Sequence, residues 1–295
     1  MQPEHDAIIV GGSFAGMAAA LPLLRARRHV LVIDGGQPRN RFSAHAQGFL
    51  SRDGEAPGEI LRAARTQLAA YPTLAWRDTM VTAIARDADG FSVTTAEGST
   101  HRGRRVILAS GLTDDLPDIE GLAERWGRTV FHCPYCHGYE LGGGPIAAIA
   151  EGEGSARQAI LLSEWGRVTL FLQDRCELTP EMRADVAARG IAVEPVPVVR
   201  VQGAAEVLLA DGRRAAFDGI FVTPRDRPAT PLAEALGCRL EPTPCGLQLR
   251  TNDKSETTVQ GVYACGDLAS TPHSIALAVA SGSLAGTHVH ASLVG

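Results

Sequence analysis

The stretch Ala7-Ile8-Ile9-Val10-Gly11-Gly12-Ser13-Phe14-Ala15-Gly16 decides the fold. Its apolar, β-branched start reads as a short strand, Gly11-Gly12-Ser13 as a tight turn, and the Ala- and Leu-rich residues 17–24 as a helix. That order approximates the G-x-G-x-x-G dinucleotide fingerprint. Its first glycine permits the turn, its second lets backbone approach a pyrophosphate, its third allows close helix packing, and the helix N-terminus attracts the phosphate charge. Ser13 replaces the middle glycine and is small enough to keep the site. The next strand, residues 29–33, ends in Asp34 and Gly35, where an acid suits an unphosphorylated ribose. Gly11, Gly12, Ser13, Ala15, Gly16, Asp34 and Gly35 are the first candidate cofactor residues.

Outward from that segment, 295 residues with 45% hydrophobic content predict two globular lobes at roughly 150 residues per domain. A net charge of −5 with scattered arginines argues against a nucleic-acid partner. The start Met1-Gln2-Pro3-Glu4-His5-Asp6 carries no basic leader, so a cytoplasmic protein is expected. Residues 7–24 are apolar, but Gly11, Gly12, Ser13, Gly16 and Pro22 interrupt them, and no membrane-spanning helix is expected.

A second signal lies at His132-Cys133-Pro134-Tyr135-Cys136-His137-Gly138-Tyr139-Glu140. Two cysteines separated by two residues close a small, reducible disulfide or supply half of a zinc site. Zinc is disfavoured because His132, Cys133, Cys136 and His137 are too contiguous for one tetrahedron, and Cys238 and Cys245 are separated by six residues. No metal site is expected. The imidazoles of His132 and His137 titrate near neutrality, so either can take a thiol proton. Cys176, Cys238, Cys245 and Cys265 sit in or beside apolar strands and read as buried small hydrophobes. His288 and His290 fall at the end of the last helix and are given no chemistry.

Residues 104–111, ending in Ala109-Ser110-Gly111, and residues 261–267, ending in Gly266-Asp267, form two more strand-and-small-residue segments. With the N-terminal fingerprint they resemble the three FAD-binding segments of the two-dinucleotide-domain flavoproteins. The cysteine pair between the second and third resembles the low-molecular-weight thioredoxin reductases of the pyridine nucleotide-disulfide oxidoreductase family. The resemblance spans nearly the whole chain and implies an α/β fold of two Rossmann-like three-layer lobes, the first discontinuous. Residues 1–115 and 244–295 would bind FAD, and residues 116–243 would form an NAD(P)H-binding-like lobe carrying the cysteine pair. It further implies FAD contacts by Ala109, Ser110, Gly111, Gly266 and Asp267, a helix over residues 272–285, a homodimer, Cys136 as the flavin-proximal thiol and Cys133 as the outer one. His273-Ser274 stand where the family usually has Arg-Gln. The long connection 37–50 adds Arg39, Asn40 and His45 as further cofactor candidates.

The second lobe departs from the family. Residues 145–150 read as a strand and 155–165 as a helix, but aligning Ser155-Ala156 with the family's ending places Glu151 and Glu153 where glycines belong. A shifted register would leave Gly152 and Gly154 as a G-x-G turn. A carboxylate facing a pyrophosphate at ~4 Å is repelled by about 1 kcal/mol in water and more in an excluded cleft. The family's His-Arg-Arg cluster is replaced by Gln173-Asp174-Arg175-Cys176-Glu177, which offers one arginine.

Cys-Pro-Tyr-Cys-His-Gly-Tyr-Glu closely resembles the flavin-dependent dithiol oxidases that close disulfides in small natural products such as gliotoxin and holomycin. Thioredoxin reductases usually carry Asp where this chain has His137. The resemblance implies oxidation of a small dithiol with oxygen as acceptor and without NADPH. Two alternatives stay open. One is a disulfide reductase acting on a thioredoxin-like protein and fed by NAD(P)H or another donor. The other is a non-catalytic flavoprotein redox sensor.

Overall fold

The apolar run forms a strand, His5–Val10, and the residues beyond the glycine turn form a helix, Phe14–Arg25, in a computed structural model that describes residues 4–295. The protein is α/β, with two Rossmann-like lobes and a discontinuous first lobe. No helix among the described residues is long and apolar enough to cross a membrane.

One unit gathers the chain up to residue 41 with residues 49–113 and 226–295. The parallel core of its sheet runs Leu74–Asp78, Val30–Asp34, His5–Val10, Thr100–Leu108 and Val262–Ala264, and Gly90–Thr95 and Val81–Asp87 add an antiparallel hairpin. Ile9 and Ala7 face the helical layer, packing with Leu23, Ala20 and Val289, while Ile8 and Val10 face the opposite core with Val81, Phe91 and Leu232. This alternation is the period-2 geometry of a strand buried on both faces. Each fully buried Leu or Ile contributes about 1.5–3 kcal/mol.

The C-terminal helix runs Ile275–Val294, not 272–285 as the sequence suggested, because Ser274 is its cap, its hydroxyl accepting from the Leu277 amide at 3.1 Å. A Cβ at Gly282 or Gly286 would run into the backbone carbonyls of Ala15 or Ala19, so these two glycines let the helix lie directly against Phe14–Arg25. The chain returns to this unit at Asp226, earlier than the expected boundary at 244, because Leu232, Ala233 and Cys238 are buried in the same core as Ile8.

The other unit contains residues 42–48 and 114–225. Its five-stranded sheet is parallel throughout, in the order Ala192–Glu194, Arg167–Phe171, Pro145–Ile149, Gly219–Phe221, Val130–Phe131. Helices Ser155–Leu162 and Pro180–Ala188 supply side chains to one face, and the antiparallel strands Val198–Gln202, Glu206–Leu209 and Arg214–Ala216 belong to the other side's packing. The helix expected to reach residue 165 stops at Leu162, after which Trp165 closes a turn by donating its amide to the Leu162 carbonyl.

Candidate redox and cofactor site

The dinucleotide turn of the first unit is built on steric necessity. Gly11 has φ +106°, and a Cβ there would collide with the Ala109 carbonyl; one on Gly16 would collide with the Gly11 carbonyl. Gly12 lies against the Trp76 ring and donates its amide to Asp34 Oδ1 at 3.0 Å, tying the turn to the end of the second strand. No side chain caps the helix at Ser13, so the first-turn amides, including those of Ala15 and Gly16, are not met by a Ser13 oxygen. A pyrophosphate oxygen would supply what that cap does elsewhere, and the uncapped start, glycine cradle and strand-end acid are of the kind that would hold FAD.

The other first-unit candidates also sit at the carboxyl ends of parallel strands. Ala109, Ser110 and Gly111 follow Thr100–Leu108, and Gly111 has φ +71°. Gly266 and Asp267 follow Val262–Ala264. The Gly266 amide donates to Ser281 Oγ at 2.9 Å, and the Asp267 carboxylate accepts from Arg39 Nη1 at 3.0 Å. Gly35 is exposed beside Met80, and Asn40 is half-buried next to Arg39. Ser274 serves as the helix cap described above. His45 is exposed and lies in segment 42–48, which clusters with the other unit.

Arg39, Asp267 and His273 come together around a residue that the sequence reading did not single out. Arg39 Nη2 donates to Asp226 Oδ1 at 2.8 Å, while its Nη1 lies 3.0 Å from Asp267 Oδ2 and 2.9 Å from His273 Nδ1. Asp226 is 5% exposed and Arg39 15%. In sequence Asp226 is one acid in Arg225-Asp226-Arg227-Pro228, and no local pattern marks it. Cys245 also lies here and is half-buried rather than buried as expected; burial and the Asp226 charge push its thiol pKa up. Cys176, Cys238 and Cys265 are buried, and burial raises the Cys265 thiol to about 12.

The cysteine pair belongs to the second unit. Strand Val130–Phe131 ends, His132 turns, and Cys133 takes extended backbone at the N-cap of a short helix, Pro134–His137, with Pro134 at its first position. The helical turn brings the Cys133 and Cys136 Cα atoms to 5.3 Å, and the two residues are joined as a disulfide. Both are half-buried, while Tyr135 and Tyr139 are exposed. A Cβ at Gly138 would meet the Trp165 ring, so the turn after the pair is held tightly.

Both neighbouring histidines are oriented by aromatic rings. His132 stacks on Trp126 with centroids 5.7 Å apart, and its carbonyl accepts from Gln158 Nε2 at 3.0 Å. His137 stacks on Phe131 at 4.2 Å and places Nε2 3.5 Å from Ser43 Oγ. Its Nδ1 is buried without a well-directed hydrogen-bond partner among the described residues. Burial holds its pKa below the ordinary 6.5, against opposing pulls from Glu140 and the Cys133 backbone. The ring is therefore neutral at pH 7 and able to accept a proton.

The corresponding turn of the second unit is differently made. Five residues, 150–154, separate strand Pro145–Ile149 from helix Ser155–Leu162, where three, 11–13, separate the first unit's pair. A Cβ on Gly152 or Gly154 would meet nothing within 4 Å, so neither glycine is sterically required. Glu151 Oε2 accepts from Arg175 Nη1 at 2.6 Å, and the Glu151 amide donates to Ser155 Oγ at 3.0 Å. The one arginine of segment 173–177 is thus paired with the glutamate of the turn. Burial pushes the Glu151 carboxyl pKa up, opposed by Arg175 and Arg225.

Residues 5–282 match the pyridine nucleotide-disulphide oxidoreductase family. A curated relative, thioredoxin reductase sirT of Leptosphaeria maculans, is 32% identical, with the alignment covering 98% of this chain and 94% of the relative. Among solved structures, the oxidoreductase from Agrobacterium tumefaciens is 45% identical with a TM-score of 0.96, covering 98% of each chain. HlmI is 37% identical with a TM-score of 0.91, covering 98% of this chain and 92% of its own.

Proposed function

Because this chain belongs to the pyridine nucleotide-disulphide oxidoreductase family and is an FAD-dependent disulfide oxidoreductase, we propose that it oxidises a small dithiol to a disulfide through Cys133 and Cys136, with oxygen as the final acceptor and no nicotinamide nucleotide consumed. The observation carrying this reading is the Glu151–Arg175 ion pair in the second unit's lengthened turn. It puts a carboxylate where a pyrophosphate would need donors, and it engages the arginine that a 2′-phosphate would need. His137 in place of the family's usual Asp supports the same direction, since a neutral imidazole accepts the proton that a substrate thiol must lose.

In the proposed sequence one substrate thiolate attacks Cys133 Sγ, the Cys133–Cys136 bond breaks and Cys136 leaves as a thiolate. The second substrate thiol, deprotonated by His132 or His137, attacks the substrate sulfur held on Cys133, releasing the cyclic disulfide and a Cys133 thiolate. Bound FAD supplies a two-electron acceptor for the resulting dithiol and a donor to oxygen. The balance is dithiol plus oxygen giving disulfide plus hydrogen peroxide. The residues proposed to hold FAD are the turn and helix start 11–16, Asp34, Ala109 to Gly111, Asp267, and Arg39 with His273.

The curated relative's name, thioredoxin reductase, favours a second reading, in which the same pair reduces the disulfide of a thioredoxin-like protein. Anaerobic mixing separates the two. Bleaching of the oxidised-flavin absorbance by a small dithiol but not by NADPH or NADH, with recovery and peroxide formation in air, is expected. Rapid, saturable bleaching by a nicotinamide would overturn the oxidase and establish the reductase. Cys133→Ser and Cys136→Ser should each keep the yellow colour and lose dithiol turnover.

A homodimer is part of the proposal. The outer face of Ile275–Val294 carries no charged side chain, and Leu277, Leu284 and Val294 on it are 42%, 57% and 68% exposed. A cytoplasmic setting is supported by four cysteines that stay unpaired.

A further inference from the structure

We infer that Glu4, His5 and His101 form a binding site for a divalent transition-metal ion of the zinc type, where two inner strands of the first unit's sheet begin, at the end opposite the dinucleotide turn. One carboxylate oxygen and two imidazole nitrogens lie within 4.8 Å of one another, with His5 Nε2 3.9 Å from Glu4 Oε2. The two rings have centroids 6.3 Å apart and are tilted by 55°.

The sheet register explains why these residues meet. His5, the first residue of its strand, pairs with Gly103 of Thr100–Leu108, and His101 lies two residues before Gly103, on the same face. Gly103 itself carries no side chain, and a Cβ there would meet Ile8 Cγ1 at 2.7 Å. Glu4 precedes His5 in the chain and adds its carboxylate. The strand then runs to Val10 before the glycine turn, at ~3.3 Å per residue, so the cluster stands roughly 17 Å from the turn. The ion and the cofactor would not compete for the same groups.

Two imidazoles and a carboxylate are the donor set that zinc and its neighbours take, whereas magnesium and calcium prefer all-oxygen shells. Bonds of about 2.0–2.1 Å in a tetrahedron put ligand atoms roughly 3.4 Å apart, so the widest separation must close by somewhat over 1 Å. Glu4 can supply that movement, since its side chain is 70% exposed. His5 is the fixed member of the set, its side chain only 16% exposed, so the ring stays in place while Glu4 moves toward it. His29 and Arg77 also face His5, and the fixed charge of Arg77 opposes a cation while Glu4 offsets it. A water completes the shell. Bound there, the ion would fasten the start of the first strand to the start of Thr100–Leu108.

The test uses the flavin-loaded protein without a histidine tag and with its cysteine pair oxidised. Zinc titration by calorimetry and cobalt titration by visible absorbance should show one ion per chain. His5→Ala and His101→Ala should each weaken binding at least tenfold, and zinc should raise the Tm of the parent protein but not of His101→Ala. The flavin spectrum should not change, and the Cys133→Ser/Cys136→Ser double variant should bind as the parent does. Absence of saturable binding, retention of full affinity in both histidine variants, or loss only in the cysteine variant would each overturn the site.

Discussion

Asp226 and Arg39, 187 positions apart in the chain, form an ion pair at 2.8 Å with little solvent around either side chain. Arg39 carries its charge at any working pH, and its Nη1 lies within hydrogen-bond distance of both Asp267 Oδ2 and His273 Nδ1. One guanidinium thus links two carboxylates and one imidazole in the first unit. Arg39 and Asp226 arrive from segments that only the topology brings together.

Removing Asp226 should therefore be costly. Asp226→Ala removes the partner of Arg39 Nη2, and the loss is expected at about 3 kcal/mol, the low end for breaking a buried pair, read as a lowered urea midpoint at unchanged slope. Arg39→Lys should lose nearly as much, because a point charge cannot serve both carboxylates in the same geometry. A change within 0.5 kcal/mol in both variants, on the order of a surface substitution, would show that the quartet is not held as described.

The depressed pKa of His137 sets a pH signature. Well above pH 6.5 the ring is neutral in both folded and unfolded chains and contributes no pH dependence. As pH falls through 6.5 the unfolded chain takes up the proton first, so stability drops until the folded ring also protonates. His5, lowered in the same direction, adds to this, so the comparison is parent against His137→Gln, which should flatten the profile below 6.5. If His137 is the base, the acid limb of kcat/KM for dithiol oxidation lies below pH 6.5 and disappears in His137→Gln. Loss of that limb in His132→Gln instead would move the role to His132.

Glu151 makes an ion pair, yet burial raises its carboxyl pKa above the ordinary value. The sign is then the reverse of a stabilising carboxylate: the folded chain holds its proton more tightly, and stability is lost as pH rises from the unfolded value through the folded one. Glu151→Gln is expected to be neutral or to stabilise by less than about 1 kcal/mol at pH 7, despite removing the pair. Thermal unfolding at pH 4 and pH 7 checks it; a clear destabilisation confined to pH 7 would show that Arg175 outweighs desolvation.

Glycines with the same name in the chain should behave differently. Gly282→Ala drives a Cβ into the Ala15 carbonyl, a backbone atom on a packed helix, and should cost about 1–3 kcal/mol. Gly152→Ala, with nothing within 4 Å, should stay within about 0.5 kcal/mol. Equal effects would contradict the close approach of Phe14–Arg25 and Ile275–Val294.

Features carried by neighbouring residues were legible in the sequence. The run 7–16 announces strand, turn and helix because apolar periodicity and glycine act over a few residues, and Cys133 and Cys136 announce a disulfide because three residues of helical turn bring them together. The second turn's departure was visible as Glu151 and Glu153 set against the family's glycines, while its length of five residues came only from the structure. Element ends were less so: the last helix begins at Ile275 because the Ser274 hydroxyl caps it, an event of one hydrogen bond.

By itself, then, the sequence determined the α/β class, the two strand-turn-helix units and the close cysteine pair, since each rests on backbone geometry and contacts spanning only a few residues. Only the tertiary structure decided that Asp226 is Arg39's partner, that Glu151 takes up Arg175, that residues 226–243 pack with the first unit, and that His5 and His101 share a sheet face. The physical reason is that charge pairs and core membership depend on which distant segments the sheet order makes neighbours. A buried group takes whichever partner the topology delivers, and no local pattern records that choice.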